Sequence, residues 1–267
     1  MFARASAYDH DIRVTRISPA AGCDASYEAE IAGASNVAPQ GGYLLAVVFN
    51  AVLTYFAGQG QGRPVSMDVS FMNPSTTGPC RIDLSLISAG RSTTVARATL
   101  YQPAAKSPRV QAVVTMASPG GPFVPPHRTT PDWSLPIKSS LTHFVPPAGA
   151  LDLADFYIAE PEGGDGDKES LGWGELRGRL CDDWKAVAVF LDWISFPSRP
   201  TKSEAPTAPS LLLGPDHEIH ALFHAAPPAG NTGIMVHHVA VPDLDRDHHV
   251  VDGELRDKDG RLLVTLR

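Results

Sequence analysis

The segment "QGGYLLAVVFNAVLTYF" (40–56) limits the fold more than any other part of this chain. Apolar residues at 44, 45, 48, 49, 52, 53 and 56 follow the helical period, and positions 46, 47 and 51 are apolar as well. A helix that is apolar nearly all round has no face to give to water, so other elements must surround it. Directly before it stand Gly41 and Gly42. Ser, Thr, Asp or Asn would cap a helix better, so a glycine pair here implies that something comes close to the backbone.

The material to surround the helix follows at once. After Gly58, Gly60 and Gly62, the residues Val65, Met67, Val69 and Phe71 alternate with Ser66, Asp68 and Ser70, which is strand periodicity. Ile82, Leu84 and Leu86 alternate again after the break at Pro74 and "TTGPC" (76–80). "SAGR" (88–91) turns the chain into a strand from Thr94 to Tyr101, and a further strand runs from Val110 to Met116. Leading strands are expected at Ile12–Ile17 and Ser26–Ile31.

"SPGGPFVPPHRTTPDWSLP" (118–136) is too rich in Pro and Gly for a packed helix or a central strand and reads as a linker. The order of elements then repeats. "SLGWGELRGR" (170–179) is strand and turn, and "LCDDWKAVAVFLDWISF" (180–196) is a helix. Strands are expected within 211–225, 233–241 and 248–256, and "RDKDGR" (256–261) turns into the last strand at 262–266. Helix then four strands, twice over, implies a duplication of about 120 residues. The expected organisation is a first repeat at 1–118, a linker at 119–138 and a second repeat at 139–267. A buried helix wrapped by one antiparallel sheet resembles the hot-dog arrangement. Two copies pairing their sheets edge to edge make an α+β double hot dog.

Bulk properties narrow the partners. A formal net charge of −7 argues against nucleic acid and anionic membrane surfaces. No apolar run is long enough to span a bilayer, and the N-terminus meets charge by Asp9, before a signal-peptide core forms. Cys23, Cys80 and Cys181 are odd in number and far apart, which fits a reducing compartment; a cytoplasmic protein is expected.

Five pieces carry a wider resemblance: "GGYLLAVVFNAV" (41–52), "RPVSMDVSFMNPSTTGP" (63–79), "AGRSTTVARATLYQ" (89–102), "VAVFLDW" (187–193) and "DGRLLVTLR" (259–267). Taken in order, the chain resembles the thioesterase-like superfamily of double hot-dog proteins, which includes the acyl-CoA thioesterase II (TesB-like) enzymes. The resemblance implies hydrolysis of an acyl thioester without a cofactor. It implies an acidic residue in the second helix, a Thr on the next strand and a Gln on the last strand, together holding a water. Asp192 in "FLDWI" matches the acid, and the Thr position falls on Asp216 or, with a slip of two residues, on Gly214. By the family's register the Gln follows Arg267, the last residue of the sequence, so another group is expected to serve there.

The residues themselves give this chemistry a shape. A helix N-terminus has free N–H groups and partial positive charge, so Gly41, Gly42 and Tyr43 are expected to receive a thioester carbonyl and its oxyanion. Asp192, between Leu191 and Trp193, is a carboxylate in apolar company, with a raised pKa expected unless it is paired, and suits a general base. Seven of the ten histidines lie between 217 and 249. On a strand, Asp216, Glu218, His220 and His224 share a face, from which His220 is the candidate second base or proton shuttle. On a helix, His217, His220 and His224 would align toward a metal. The alternation and the absence of HExxH spacing favour the strand and no metal. The expected partner is a small acyl substrate on CoA or a carrier protein, and a homo-oligomer stays open. A dehydratase or cyclase type of enzyme and a non-catalytic acyl-binding protein are the competing readings.

Overall fold

In the computed structural model, the described residues are 7–32, 39–103, 107–119, 138–144, 153–159, 169–192, 217–241 and 250–267. The expected linker falls almost wholly outside them, as do Asp216, His248, His249, Trp133 and Trp193.

The buried helix forms as its pattern requires. It is α2, Gly41–Ala57, with Tyr43 through Phe49, Ala51, Val52 and Phe56 all buried. A short α1, Ala7–Asp11, and strands β1 (Thr15–Ile17) and β2 (Ala25–Ile31) precede it. Strands β3 (Arg63–Phe71), β4 (Gly78–Ala89), β5 (Thr93–Tyr101) and β6 (Val110–Ala117) follow. The second half holds β7 (Thr142–Phe144), β8 (Ala154–Ile158), β9 (Glu169–Leu176) and α3 (Trp184–Phe190). After them come β10 (His217–Phe223), β11 (Ile234–Val241), β12 (Val250–Arg256) and β13 (Leu262–Leu266).

The thirteen strands of the described residues join in one sheet, in the order β1-β2-β4-β5-β6-β3-β10-β13-β12-β11-β9-β8-β7. The centre reads the same from both sides: β2, β4, β5, β6, β3 on one flank match β9, β11, β12, β13, β10 on the other. Every pairing is antiparallel, and the two halves meet where β3 pairs with β10, Ser70 opposite Glu218 and Met67 opposite Ala221.

Alternation decides the burial. Ile219, Ala221 and Phe223 of β10 point into the core, where Phe223 stacks on Phe49 of α2 at 5.7 Å and meets Trp184 of α3 edge-on at 5.3 Å. One side chain thus touches both helices. Aromatic pairs of this kind add about 0.5–1.5 kcal/mol each beyond the area they bury.

Three expectations need correction. The strand expected from Ile12 starts only at Thr15, because the preceding residues form α1. Tyr8 of α1 is fully buried and donates its hydroxyl to the Lys185 carbonyl of α3, while Arg179 lies over its ring and pairs with Asp9 and Asp183. Burial holds the Tyr8 hydroxyl far above its ordinary pKa, so it stays a neutral donor. The helix expected at 180–196 is also shorter. Asp183 caps it, accepting from the Ala186 N–H at 2.9 Å, and it ends at Phe190 with Leu191 as its C-cap. Finally, β7 and β8 carried no clear sequence signal; they are short and extend the sheet beyond β9.

Candidate active site

The glycine pair meets the second helix. Gly41 and Gly42 form the first turn of α2, after Gln40 at the N-cap. A Cβ on Gly42 would overlap the carbonyl oxygen of Val189 in α3 and lie 3.4 Å from the Asp192 Cβ. A Cβ on Gly41 would stand 2.6 Å from Asp192 Oδ2 and 2.9 Å from the Phe71 ring. The close approach implied by the glycines is therefore real, but what approaches is the backbone of α3 and the Asp192 side chain.

Asp192 sits two residues past α3 and is 2% exposed. Its Oδ2 accepts the Gly42 N–H at 3.0 Å, across 150 residues of sequence. A carboxylate at the positive end of a 17-residue helix is electrostatically well placed. Phe71 at the end of β3 closes this corner from the side, and β10 begins beside it, His217 being opposite Phe71.

Other expected site residues fall elsewhere. The Tyr43 hydroxyl is occupied by main chain: it donates to the Asp11 carbonyl at 2.9 Å and accepts from the Ala32 N–H at 2.9 Å. Only 2% exposed, it ties α1 and the end of β2 to α2, and burial pushes its hydroxyl up to about 12. His220 does share a face with Glu218, as the alternation requires. That face is the outer one, turned away from the helices, and His220 pairs there with Asp68 across the β3–β10 junction, both side chains about half exposed. His220 is thus separated from Asp192 by the sheet. His224 is buried and bonds the Thr265 hydroxyl at 2.9 Å. Asp216 lies outside the described residues. Among the described residues, no three His, Cys, Asp or Glu side chains gather as metal ligands.

Two residues passed over in the sequence shape this region. Asn231, fully buried, donates to the carbonyls of Cys181 and Gly233 at 3.0 and 2.8 Å and accepts from the Lys258 N–H at 3.1 Å. It anchors the segment that leads into α3. Gln40 is the other. Its side chain does not cap α2, and its Oε1 is buried with no hydrogen-bond partner among the described residues, an arrangement that costs roughly 1–3 kcal/mol. The only sequence signal was a polar residue where a capping one belongs.

Among the buried polar groups of the second half is His238, on the same face of β11 as Ile234 and Val236. Burial, and then the neighbouring His237, lower its pKa to about 4 from an ordinary 6.5. The folded state prefers the neutral ring, so its stability is complete above pH 6.5 and falls as pH drops toward 4. Urea titrations at pH 7 and pH 4.5 should show the wild type losing about 2–3 kcal/mol more than His238→Gln. Equal losses in both proteins would refute this.

Comparison with known proteins agrees with this architecture. Residues 32–117 match the family model for the acyl-CoA thioesterase N-terminal domain. The chain is similar over nearly its whole length to three solved structures. A conserved hot-dog protein of unknown function from Alicyclobacillus acidocaldarius is 17% identical, with a TM-score of 0.74, covering 98% of this chain and 96% of that one. A putative thioesterase II from Thermobifida fusca is 20% identical, with a TM-score of 0.72, covering 97% and 96%. A tesB protein from Mycobacterium avium subspecies paratuberculosis is 16% identical, with a TM-score of 0.70, covering 97% and 95%. No curated protein sequence matches.

The chain is a double hot-dog protein. Its residues 32–117 are the part that is similar to an acyl-CoA thioesterase N-terminal domain.

Proposed function

We propose that this protein hydrolyses acyl thioesters, with Asp192 as the general base. The observation that carries the reading is the buried Asp192 carboxylate, held by the Gly42 N–H at the N-terminus of the other half's helix. Attack by water on a thioester carbonyl needs a base at the water and positive charge at the developing oxyanion. The junction of α2 and Asp192 supplies both within one corner. Because the Gly42 N–H is engaged by Asp192, the oxyanion is stabilised by the rest of the helix end, with the Gly41 N–H as the nearest donor. As the O–C bond forms, Asp192 takes the proton of the water. As the C–S bond breaks, the leaving thiolate takes that proton, and free acid and thiol depart.

The match of residues 32–117 to an acyl-CoA thioesterase domain supports CoA as the thiol carrier. The three free cysteines suit work in a reducing cytoplasm. The test is a panel of acyl-CoA thioesters of increasing chain length, with the released thiol detected colorimetrically. Saturable release with at least one chain length is expected. Saturable binding of acyl-CoA with no release at any length would replace this reading with that of an acyl-binding protein.

A further inference from the structure

The side of the sheet turned away from the helices carries a row of charge across the seam between the two halves. Arg97 of β5 is opposite Val113 of β6, Val113 is opposite Asp68 of β3, and Asp68 is opposite His220 of β10. His220 and Arg267, just past β13, exchange main-chain bonds at 2.7 and 2.9 Å, and Arg267 Nε lies 3.3 Å from Asp252 of β12. All six point outward, because their neighbours along each strand point into the core. The side chains of Asp68, His220, Arg267 and Asp252 are each about half exposed or more. Arg97 is exposed too, and no carboxylate among the described residues pairs with it.

The composition of this face suits contact with another protein. None of the six strands β3, β5, β6, β10, β12 and β13 carries a lysine, the residue that interfaces avoid while they favour arginine. Outward residues flanking the row, such as Ser66, Ser70, Val95 and Thr115, are short, so a second sheet can approach to the usual distance of about 10 Å. A patch six strands wide and roughly 20 Å long covers about 600 Å² on each partner, which reaches the lower edge of a stable interface.

The order of the charges names the occupant. Counted outward from the seam, Asp68 and His220 stand first, Val113 and Arg267 second, Arg97 and Asp252 third. A two-fold axis laid along the seam, parallel to the strands, sets each position of one half against the same position of the other half in a second copy. Asp68 then meets His220, and Arg97 meets Asp252, each contact made twice. In the adjoining row Ser70 meets Glu218, so like charges do not oppose there either. An axis across the strands would instead set Arg97 against Arg97 and Asp68 against Asp68. We infer that this face is the interface of a homodimer, two copies packed sheet to sheet about a two-fold axis along the β3–β10 seam. Stacked sheets cross at about 30°, a displacement that grows with distance from the axis and that the long Arg97 side chain can span. The interface lies on the opposite side of the sheet from Asp192, so it holds whether or not the protein is a hydrolase.

Light scattering on the full chain at micromolar concentration should give twice the single-chain mass of 28.4 kDa. Arg97→Glu sets a carboxylate against Asp252 of the second copy and should raise the dimer dissociation constant at least about 100-fold. Its Tm should stay within a few degrees of wild type at concentrations where both are monomeric, since Arg97 has no carboxylate partner among the described residues of its own chain. Combining Arg97→Glu with Asp252→Arg restores an opposite pair and should restore the dimer. A wild type of single-chain mass, a dimer that Arg97→Glu leaves intact, or a folded double variant that stays monomeric would each overturn this assignment.

Discussion

Asp192→Asn is expected to abolish turnover and leave the fold intact. The amide has the shape of the carboxylate, and its oxygen still accepts the Gly42 N–H that Asp192 now holds at 3.0 Å. What it loses is basicity. Removing a general base typically lowers the rate about 10²- to 10⁴-fold, and a fall of that size in kcat is expected, with Tm within a few degrees of wild type. Asp192→Ala separates the two roles of this side chain. It also strands a buried N–H, so about 1–3 kcal/mol of stability should go along with the activity. Were Asp192 only a lock between the helices, the Asn variant would turn over substrate normally and the Ala variant alone would suffer. Steady-state kinetics and thermal melts on the two variants decide between these outcomes.

Gly42→Ala is expected to destabilise the whole chain by about 3 kcal/mol, although it removes a glycine from a helix. At an ordinary helical site the same change stabilises by about 1 kcal/mol. Here the added methyl overlaps the Val189 carbonyl oxygen, a main-chain atom that cannot rotate aside. The two helices must part, and overpacking of this type costs 1–3 kcal/mol or more. Gly58→Ala, at the other end of the same helix, is the control: nothing lies within 4 Å of a Cβ there, so it should be neutral or mildly stabilising. Denaturant midpoints for the two variants should therefore move in opposite directions, or only that of Gly42→Ala should move. A Gly42→Ala protein as stable as wild type would mean that α2 and α3 do not pack at this distance. At Gly41 the obstructions are the Asp192 carboxylate and the Phe71 ring, side chains rather than main chain.

Much of the architecture was legible for a local reason. Strands β3, β5 and β6 bury one face, so their residues alternate with period two over most of their length. Phe49, Val52 and Phe56 mark α2, whose residues from Gly41 to Phe49 are all buried. The misreadings share the opposite cause. The apolar pattern of the second helix runs on past Leu191, but the helix stops where Asp192 turns to Gly42, a contact no local pattern announces. Helix α1 is five residues long and is held by the bond of Tyr8 to the Lys185 carbonyl, 177 positions away.

The candidate site divides in the same way. Gly41, Gly42 and Asp192 stood out chemically, as glycines where a cap belongs and an acid among apolar neighbours. His220 stood out too, and alternation placed it correctly on a polar face. Which face looks toward Asp192 depends on the side where the helices lie, and they lie with Ile219, Ala221 and Phe223.

From sequence alone came the two enclosed helices, the strands that wrap them and the residue types able to do acyl chemistry, because burial with a short period leaves its mark on neighbouring residues. The tertiary structure alone decided that the end of one helix abuts the start of the other and that Asp192 rests on Gly42. Those contacts join residues about 150 positions apart through the β3–β10 seam, and a seam between distant strands leaves no periodic trace in either one.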